Sequence, residues 1–334
     1  MMDYEVFKEV VVQKMPEFLM GNCAGREVIS YPKQKVNETL DMLSIKPLEG
    51  ANETIPVLYL NNMYDQYLEN ESLEMTLNDA AEVFSVAMEK GQEYANLIDL
   101  NNAKEKVIFQ LINTEQNKEL LAGLPHREWQ DLSVMYRMFI KEDHTGLSSC
   151  MITNSLAEKL GMTEEELFKL AAENTKRIFP PVVKSMKEVL WELYEKQGMP
   201  EAVINMMLGD APEHDQMFII SNTKNMNGAI SMLYEDRLHE LAERLGNDLF
   251  ILPSSVHETI AVPAREGDAE MLAAMVTEIN MAQVDLKDRL SNQVYLYDKD
   301  LRTLSLATDT PNKRLDGKAV AEPVLIYEPK EQSR

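Results

Sequence analysis

Cysteine is scarce in this sequence. Only Cys23 and Cys150 occur among 334 residues, which is too few for a disulfide framework in a chain of this length. Neither cysteine belongs to a metal-ligand spacing. This usage indicates a reducing compartment, and we expect a cytoplasmic location.

Long apolar runs and basic runs are also missing. No segment approaches the roughly 20 apolar residues that span a bilayer, and the N-terminal stretch MMDYEVFKEVVVQKMPEF lacks the basic start and continuous apolar core of a signal peptide. Lysine and arginine never occur in runs longer than two, and the formal net charge is −23. Because a negative surface repels anionic lipid and phosphate, we expect no membrane association and no direct binding of nucleic acid.

The common catalytic and nucleotide-binding signatures are absent as well. The sequence contains no G-x-G-x-x-G, no G-x-x-x-x-G-K-[ST], no G-x-S-x-G and no H-E-x-x-H. Dinucleotide and P-loop binding therefore have no support in the sequence. The identity of any cofactor or metal is unknown at this point.

The patterns that are present indicate a globular protein of mixed structure. Hydrophobic residues make up 45% and charged residues 27% of the chain. Strand and helix patterns follow one another without strict alternation, which predicts an α+β fold with mainly antiparallel sheets and flanking amphipathic helices. We expect an N-terminal half (residues 1–197), a C-terminal half (residues 216–306) and a mobile tail (residues 307–334) with a short apolar segment at residues 324–327.

Several local signals are specific enough to test. Turn residues predict hairpins at Asn37, at the KEDHTG sequence and around residues 298–300. The pair Thr163 and Glu166 predicts a capping box. Asn78 is expected to cap a helix that ends at Gly91 and has an apolar stripe of Val83, Phe84, Ala87 and Met88. A second helix, over residues 268–284, is predicted to bury Met271, Leu272, Met275, Val276 and Ile279.

The segment over residues 217–263 concentrates the polar chemistry of the chain. It is predicted to form strand, helix, strand, turn and strand, with Ser255, His257 and Glu258 beside the last turn. In a strand, Glu258 shares a face with Val256, Ile260 and Val262, so it would begin on the buried side and need a partner or a proton. The simpler interpretation is that Glu258 lies at a strand end, and that Ser255 stabilises the turn.

A second polar cluster precedes another predicted strand. The sequence LPHREWQDL places His126 and Asp131 in a loop, where they either fix the loop backbone or contribute to a functional site. If they met His257 and Glu258 in space, the set would suit metal ligation or acid–base chemistry. The candidate catalytic residues are therefore His126, Asp131, Ser255, His257 and Glu258.

Three motifs together carry a family resemblance. In the notation LPHxxxxDL, NTKxxxGAxxxLY and ILPSSVHE, they occur here in the same order as in an uncharacterised bacterial family of unknown function that is common in gut anaerobes. The resemblance runs from the opening helix to about residue 306. It implies an intracellular bacterial protein, and it implies no catalytic role because the family carries no established activity.

Three classes of function remain open. The absence of catalytic signatures and the strong surface charge slightly favour a binding or interaction protein with a protein partner. A small-molecule or metal-dependent hydrolase would use the His/Asp/Glu cluster. An acidic mimic of nucleic acid, or a regulator of that kind, would need a continuous acidic face.

Overall fold

A computed structural model of the protein describes residues 1–49, 55–91, 100–143, 146–209, 217–264, 268–310 and 314–317. Helices and strands alternate irregularly along the chain. The α-helices in the described ranges are α1 (Tyr4–Phe18), α2 (Leu60–Asn70), α3 (Leu73–Glu89), α4 (Lys118–Leu121), α5 (Asn154–Leu160), α6 (Glu164–Ile178), α7 (Met186–Lys196), α8 (Glu201–Leu208), α9 (Glu235–Leu245) and α10 (Ala269–Gln283). The strands are β1 (Val28–Gln34), β2 (Thr39–Ile45), β3 (Val57–Tyr59), β4 (Val107–Asn113), β5 (His126–Trp129), β6 (Leu132–Asp143), β7 (Gly146–Met151), β8 (Pro181–Ser185), β9 (Phe218–Asn222), β10 (Leu249–Leu252), β11 (Thr259–Pro263), β12 (Tyr295–Asp298) and β13 (Thr303–Leu306).

The strands form three sheets whose recorded pairings are antiparallel. The first has the order β1-β2-β3, the second β4-β6-β5 with β7 paired to β6, and the third β13-β12-β10-β11-β9-β8. The prediction of an α+β fold with mainly antiparallel sheets is confirmed. The three predicted hairpins correspond to consecutive antiparallel strand pairs, which are β1–β2, β6–β7 and β12–β13.

Chain contacts divide the protein into two compact units. The first comprises residues 1–110, 117–127 and 134–178, and the second comprises residues 111–116, 128–133 and 179–334. The division into halves at residues 1–197 and 216–306 stays a prediction, because compactness does not show which part folds independently. Of the predicted tail, residues 307–310 and 314–317 are described and the remainder lies outside the described residues.

In the first unit, α1, α2 and α3 supply most of an apolar core. Phe7, Met15, Leu43, Leu60 and Phe84 are among its fully buried members. These side chains come from helices with an apolar stripe and from β2, which is buried on its C-terminal half. Burial of such a cluster is the main driving force for folding of this unit.

The cap predicted for α3 is wrong. The cap is Ser72, six residues before Asn78, and its Oγ accepts a hydrogen bond from the Met75 amide at 3.2 Å. Asn78 lies inside the helix. Of the predicted stripe, Phe84 is fully buried and Val83 is exposed. An apolar pattern alone does not identify which of two nearby polar residues ends the helix.

The capping box at the start of α6 is confirmed. The Thr163 Oγ1 accepts a hydrogen bond from the Glu166 amide, and the Glu166 carboxylate accepts one from the Thr163 amide at 2.8 Å. Both groups would otherwise be unsatisfied at a helix N-terminus. The sequence signature and the observed geometry agree here because every partner is local.

The predicted burial of the last long helix is partly wrong. In α10 the fully buried residues are Ala273, Val276 and Asn280, whereas Met271, Met275 and Ile279 are exposed. The helix therefore packs through small and polar side chains and leaves larger apolar ones at the surface. Three apolar residues at intervals of four resemble a core stripe, and only the tertiary structure shows which side faces solvent.

No helix in the described ranges is long and apolar enough to cross a membrane.

Candidate functional site

Asp131 lies in the tight turn between β5 and β6, within the second unit. Gln130, which precedes it, has a positive φ of 55°, as a short hairpin turn requires. The Asp131 carboxylate accepts hydrogen bonds from the hydroxyl of Ser291, at 2.5 Å, and from the hydroxyl of Tyr295. The ring of Trp129 stacks on that of Tyr295 with 5.2 Å between centroids. The turn thus holds a carboxylate against two hydroxyl donors.

Both hydroxyl donors are inaccessible to solvent. Ser291 and Tyr295 are fully buried. Burial, followed by the negative charge of Asp131 and their hydrogen bond, raises the pKa of the Tyr295 hydroxyl well above its usual range. Tyr295 therefore stays protonated and acts as a donor to Asp131 at physiological pH.

The Pro253 corner is joined to this cluster through the backbone of Ser291. The Ser291 amide donates to the carbonyl of Pro253 at 2.9 Å, and the Val256 amide donates to the carbonyl of Asp288 at 2.8 Å. Ser255 and Arg289 form an isolated β-bridge between the same two segments. Ser291 thus connects Asp131 to the segment that carries the candidate residues Ser255 and His257, because it hydrogen-bonds both Asp131 and Pro253.

Ser255 has a local structural role. It is buried, and its Oγ accepts a hydrogen bond from the His257 amide at 3.0 Å, which closes a short turn. This is the turn-stabilising role that the sequence offered as the simpler interpretation. A catalytic role for Ser255 stays a prediction.

His257 uses both ring nitrogens. Nδ1 accepts a hydrogen bond from the Asn227 amide at 3.2 Å, and Nε2 lies 3.3 Å from a carboxylate oxygen of Asp288. Because Nδ1 acts as the acceptor, the neutral ring carries its proton on Nε2, where it faces the carboxylate. The imidazole thereby joins the loop before Gly228 to the segment that contains Asp288.

The strand register predicted for Glu258 is wrong. β11 begins at Thr259, so Glu258 lies in the bend before the strand and is only half-buried. Within β11 the fully buried side chains are Thr259 and Ala261, not Ile260 and Val262. Alternate residues of a strand point to opposite faces of the sheet, so Thr259 and Ala261 share the buried face and Ile260 and Val262 share the half-buried one.

His126 belongs to the first unit, unlike the other four candidate residues. The loop position predicted for it is wrong: it is the first residue of β5, and it is half-buried. Its Nδ1 lies 2.9 Å from the carbonyl oxygen of Leu124, to which it can donate a hydrogen bond. The predicted convergence of His126 with His257 stays a prediction, as does a catalytic role for the set.

Sequence reasoning missed Ser291, Tyr295 and Asp288 as partners of the candidate residues. The Ser291 and Tyr295 hydroxyls lie more than 150 residues from Asp131 along the chain, so no local pattern could have paired them. A fully buried tyrosine in the strand pattern NQVYLYD was the one available signal, because a buried hydroxyl needs a partner.

Replacement of Asp131 by alanine should destabilise the protein. The substitution leaves two fully buried hydroxyls without their acceptor, which corresponds to a loss of about 3 kcal/mol in the free energy of unfolding. Urea unfolding at pH 7 measures the loss. Asp131→Asn, which keeps one acceptor oxygen, should lose less.

Asp300→Ala, at an exposed turn, is the matched control and should change the free energy of unfolding by less than about 0.5 kcal/mol. A double-mutant cycle with Tyr295→Phe isolates the hydroxyl–carboxylate pair. If Asp131→Ala proved as stable as the wild type, the cluster would not hold the turn.

The described residues were also compared with the ligand sets that bind metal ions in proteins. Among the residues that the structure describes, no three His, Cys, Asp or Glu side chains come together as a set that could hold a metal ion. Cys23 is buried and Cys150 is half-buried, and neither forms a disulfide.

Comparison with known proteins identifies the chain at family level. No curated protein and no solved structure matches it significantly. A family model described as a family of unknown function, DUF5688, matches residues 4–299, which include the Asp131 cluster and the Pro253 corner. The resemblance deduced from the three sequence motifs is confirmed. The protein belongs to the DUF5688 family, whose function is unknown.

Proposed function

We propose that this protein acts by binding another protein through the helical hairpin of α7 and α8. The observation that carries the proposal is the exposure of apolar side chains on α8. Six of the eight residues of this helix are apolar, yet only Ile204 is fully buried. A helix of this composition normally buries its apolar residues, so an exposed one marks a contact surface.

The exposed methionines are the strongest part of this surface. Met206 is 79% and Met207 53% exposed, and Val203 is exposed on the same helix. Methionine side chains are flexible and polarisable, which suits contact with partners of varied shape. We call Val203, Met206 and Met207 the α8 surface.

The neighbouring helix adds to the proposal. α7 begins with a capping box in which Ser185 and Glu188 satisfy each other's backbone amides, so its start is well defined. It contains no fully buried residue, and Leu193 is exposed. A hairpin that contributes so little to its own unit's core is available for contact with a partner.

Charge indicates the kind of partner. The hairpin carries four glutamates against two lysines, and the whole chain has a formal net charge of −23. Such a surface attracts cations and repels a second copy of itself. The partner that fits is a protein segment with apolar side chains flanked by lysine or arginine.

Photo-crosslinking tests this proposal. A photoreactive residue in place of Met207, introduced into the full chain in the cells that make the protein, should crosslink to one heterologous protein. Met206→Asp should lower the yield at least about 10-fold, because a charge at the centre of an apolar contact costs roughly 1.4 kcal/mol or more. The crosslinked peptide of the partner should contain lysine or arginine.

The matched control is Leu301, which is 73% exposed in the turn between β12 and β13. Leu301→Asp should leave the yield at position 207 unchanged. Crosslinks only to a second copy of the chain, or an equal yield with Met206→Asp, would contradict the proposal.

A hydrolase is the second candidate, and the link from Asp131 through Ser291 to the carbonyl of Pro253 favours it. Catalysis by Asp131 would require the carboxylate to exchange its bonds to two buried hydroxyls for a bond to substrate. Such an exchange raises the barrier by the desolvation of both hydroxyls. Binding of a protein through α7 and α8 requires no such rearrangement, and we therefore favour it over hydrolysis.

The cellular setting follows from composition. Cys23 and Cys150 are the only cysteines of the sequence and form no disulfide, which is typical of a reducing interior, and we place the protein in the bacterial cytoplasm. An acidic mimic of nucleic acid is the third candidate, and crosslinking to a nucleic-acid-binding protein through the α8 surface would favour it.

A further inference from the structure

Arg137 is a half-buried cation on β6, the strand that lies between β4 and β7. Its guanidinium donates three hydrogen bonds. Nε donates to the Ser149 hydroxyl at 2.9 Å, Nη2 to the Ser149 carbonyl at 3.0 Å, and Nη1 to the Oε1 of Gln110 at 3.3 Å. Since a guanidinium has five N–H groups, two of them have no acceptor among the residues that the structure describes.

None of the three acceptors of Arg137 carries a negative charge. They are a hydroxyl, a backbone carbonyl and a side-chain amide oxygen. Four other arginines lie 3.1 Å or less from a carboxylate oxygen, namely Arg127, Arg237, Arg302 and Arg314. Removal of a cation from water costs free energy unless an anion lies beside it. In a chain with 56 acidic and 33 basic residues, a half-buried arginine bonded only to neutral groups indicates a place for an anion.

The thiol of Cys150 does not supply this anion. Among the described residues, it is the ionisable group whose charge acts on Arg137. Burial raises the pKa of the thiol above its ordinary value, although the Arg137 guanidinium opposes that change. The thiol is therefore neutral at physiological pH. Burial also lowers the pKa of Arg137, but an arginine stays protonated in proteins, so the positive charge remains.

The groups next to the guanidinium are left as hydrogen-bond donors. The Ser149 Oγ and the Gln110 Oε1 each accept a hydrogen bond from Arg137, so the hydroxyl proton of Ser149 and the Nε2 amide group of Gln110 remain to donate. A carboxylate has two oxygens with about four lone-pair sites, and it accepts two parallel hydrogen bonds from an arginine. Its single charge also balances that of one guanidinium, whereas a phosphate group carries about 1.5 to 2 negative charges near pH 7.

We propose that Arg137, Ser149 and Gln110 form a binding site for a small carboxylate ligand. The guanidinium binds the carboxylate through its two remaining N–H groups, and the Ser149 hydroxyl and the Gln110 amide add hydrogen bonds. All three residues belong to the first unit, whereas the α8 surface belongs to the second. The site is therefore a further property of the protein, and it does not depend on the proposed protein contact.

NMR of the arginine Nε–H groups in the full chain tests the proposal, with acetate as the probe. The Arg137 resonance is assigned by its loss in Arg137→Lys and by its displacement in Ser149→Ala. Sodium acetate that replaces sodium chloride at constant ionic strength should shift this resonance to saturation, with half-saturation at about 10 mM or below. Acetamide has a similar shape and no charge, and it should leave the resonance in place.

Ser149→Ala keeps the cation and removes the hydroxyl donor. It should weaken acetate binding at least about 10-fold, because a hydrogen bond to a charged group contributes a factor of that size. Ser148→Ala is the matched control, since this neighbour on β7 points to the opposite face of the sheet and its replacement should leave acetate binding unchanged. Arg177 is the internal control. It is exposed and bonded to a carbonyl and an amide oxygen, and its resonance should not shift to saturation.

Four results would each overturn the proposal. They are the lack of a saturable shift of the Arg137 resonance with acetate, an equal shift with acetamide, tighter binding of inorganic phosphate than of acetate, and unchanged acetate affinity in Ser149→Ala. Failure of the α8 crosslinking would affect none of these measurements.

Discussion

Gly228→Ala should lower the free energy of unfolding by about 3–4 kcal/mol. A Cβ at this position would lie 2.2 Å from the Oγ of Ser221, 2.5 Å from the carbonyl oxygen of His257 and 2.9 Å from the amide nitrogen of Asn222. Two of these three atoms belong to the backbone and cannot move without displacing β9 or the His257 bend. Urea unfolding of the variant measures the loss.

The role of Ser221 can be separated from that of the backbone. The Ser221 hydroxyl donates to the His257 carbonyl at 2.8 Å, directly across the space that the new methyl would enter. Ser221→Ala removes the closest clash, so the double variant Ser221→Ala/Gly228→Ala should recover part of the stability lost by Gly228→Ala. The recovery should stay incomplete because both backbone contacts remain.

Gly123→Ala is the matched control, since neither glycine has a positive φ and a Cβ at position 123 would have its nearest neighbour at an ordinary 3.6 Å. It should change the free energy of unfolding by less than about 1 kcal/mol. Equal stability of Gly228→Ala and Gly123→Ala would show that the approach of the His257 bend to Gly228 is not fixed in solution.

Sequence reasoning reached the local features of this fold. The hairpins at Asn37 and at residues 298–300 and the Thr163 capping box depend on neighbouring residues, so the signals that specify them lie together in the sequence. The antiparallel sheets follow from the order of such elements. The predictions that failed concerned which side of a helix or strand faces the core, as in α10 and β11.

The candidate site shows the same limit. Sequence reasoning placed Asp131 and His257 beside turns, and both lie there. Their partners were beyond reach: Ser291 and Tyr295 meet Asp131 across about half of the chain, and Asp288 faces the His257 ring through tertiary packing. A pattern of residue types along the sequence does not show which distant hydroxyl donates a hydrogen bond to a given carboxylate.

Tyrosine hydroxyls donate to carboxylates repeatedly in this acidic protein. The pairs are Tyr4–Asp41, Tyr136–Glu164, Tyr295–Asp131 and Tyr297–Glu235. Three of these tyrosines, at positions 136, 295 and 297, are fully buried. In each of the three, burial is the first cause and the neighbouring carboxylate the second, and together they raise the pKa of the hydroxyl above its ordinary value.

Stability should therefore fall steeply at alkaline pH. The pKa of each buried hydroxyl in the folded state exceeds the unfolded value of about 10. Below about pH 10 both states keep the proton and the free energy of unfolding is unaffected. Above about pH 10 only the unfolded state releases the proton, so the free energy of unfolding falls as pH rises. Each group contributes a slope of about 1.4 kcal/mol per pH unit. The three together contribute about 4 kcal/mol per pH unit above pH 10. Tyr4 and Tyr234, whose pKa values are also raised by burial, add to this slope. Urea unfolding at steps of half a pH unit measures it.

Single substitutions apportion this slope. Tyr297→Phe should reduce it by about 1.4 kcal/mol per pH unit, because that side chain no longer releases a proton on unfolding. Tyr31→Phe, at an exposed position of β1, should leave the slope unchanged. Tyrosinate absorbance gives an independent measure, since the buried hydroxyls should ionise only as the protein unfolds. Ionisation of all 12 tyrosines near pH 10 in the folded chain would contradict this prediction. It would show that solvent reaches the buried hydroxyls, and that Tyr295 and Tyr136 do not exclude water from Asp131 and Glu164.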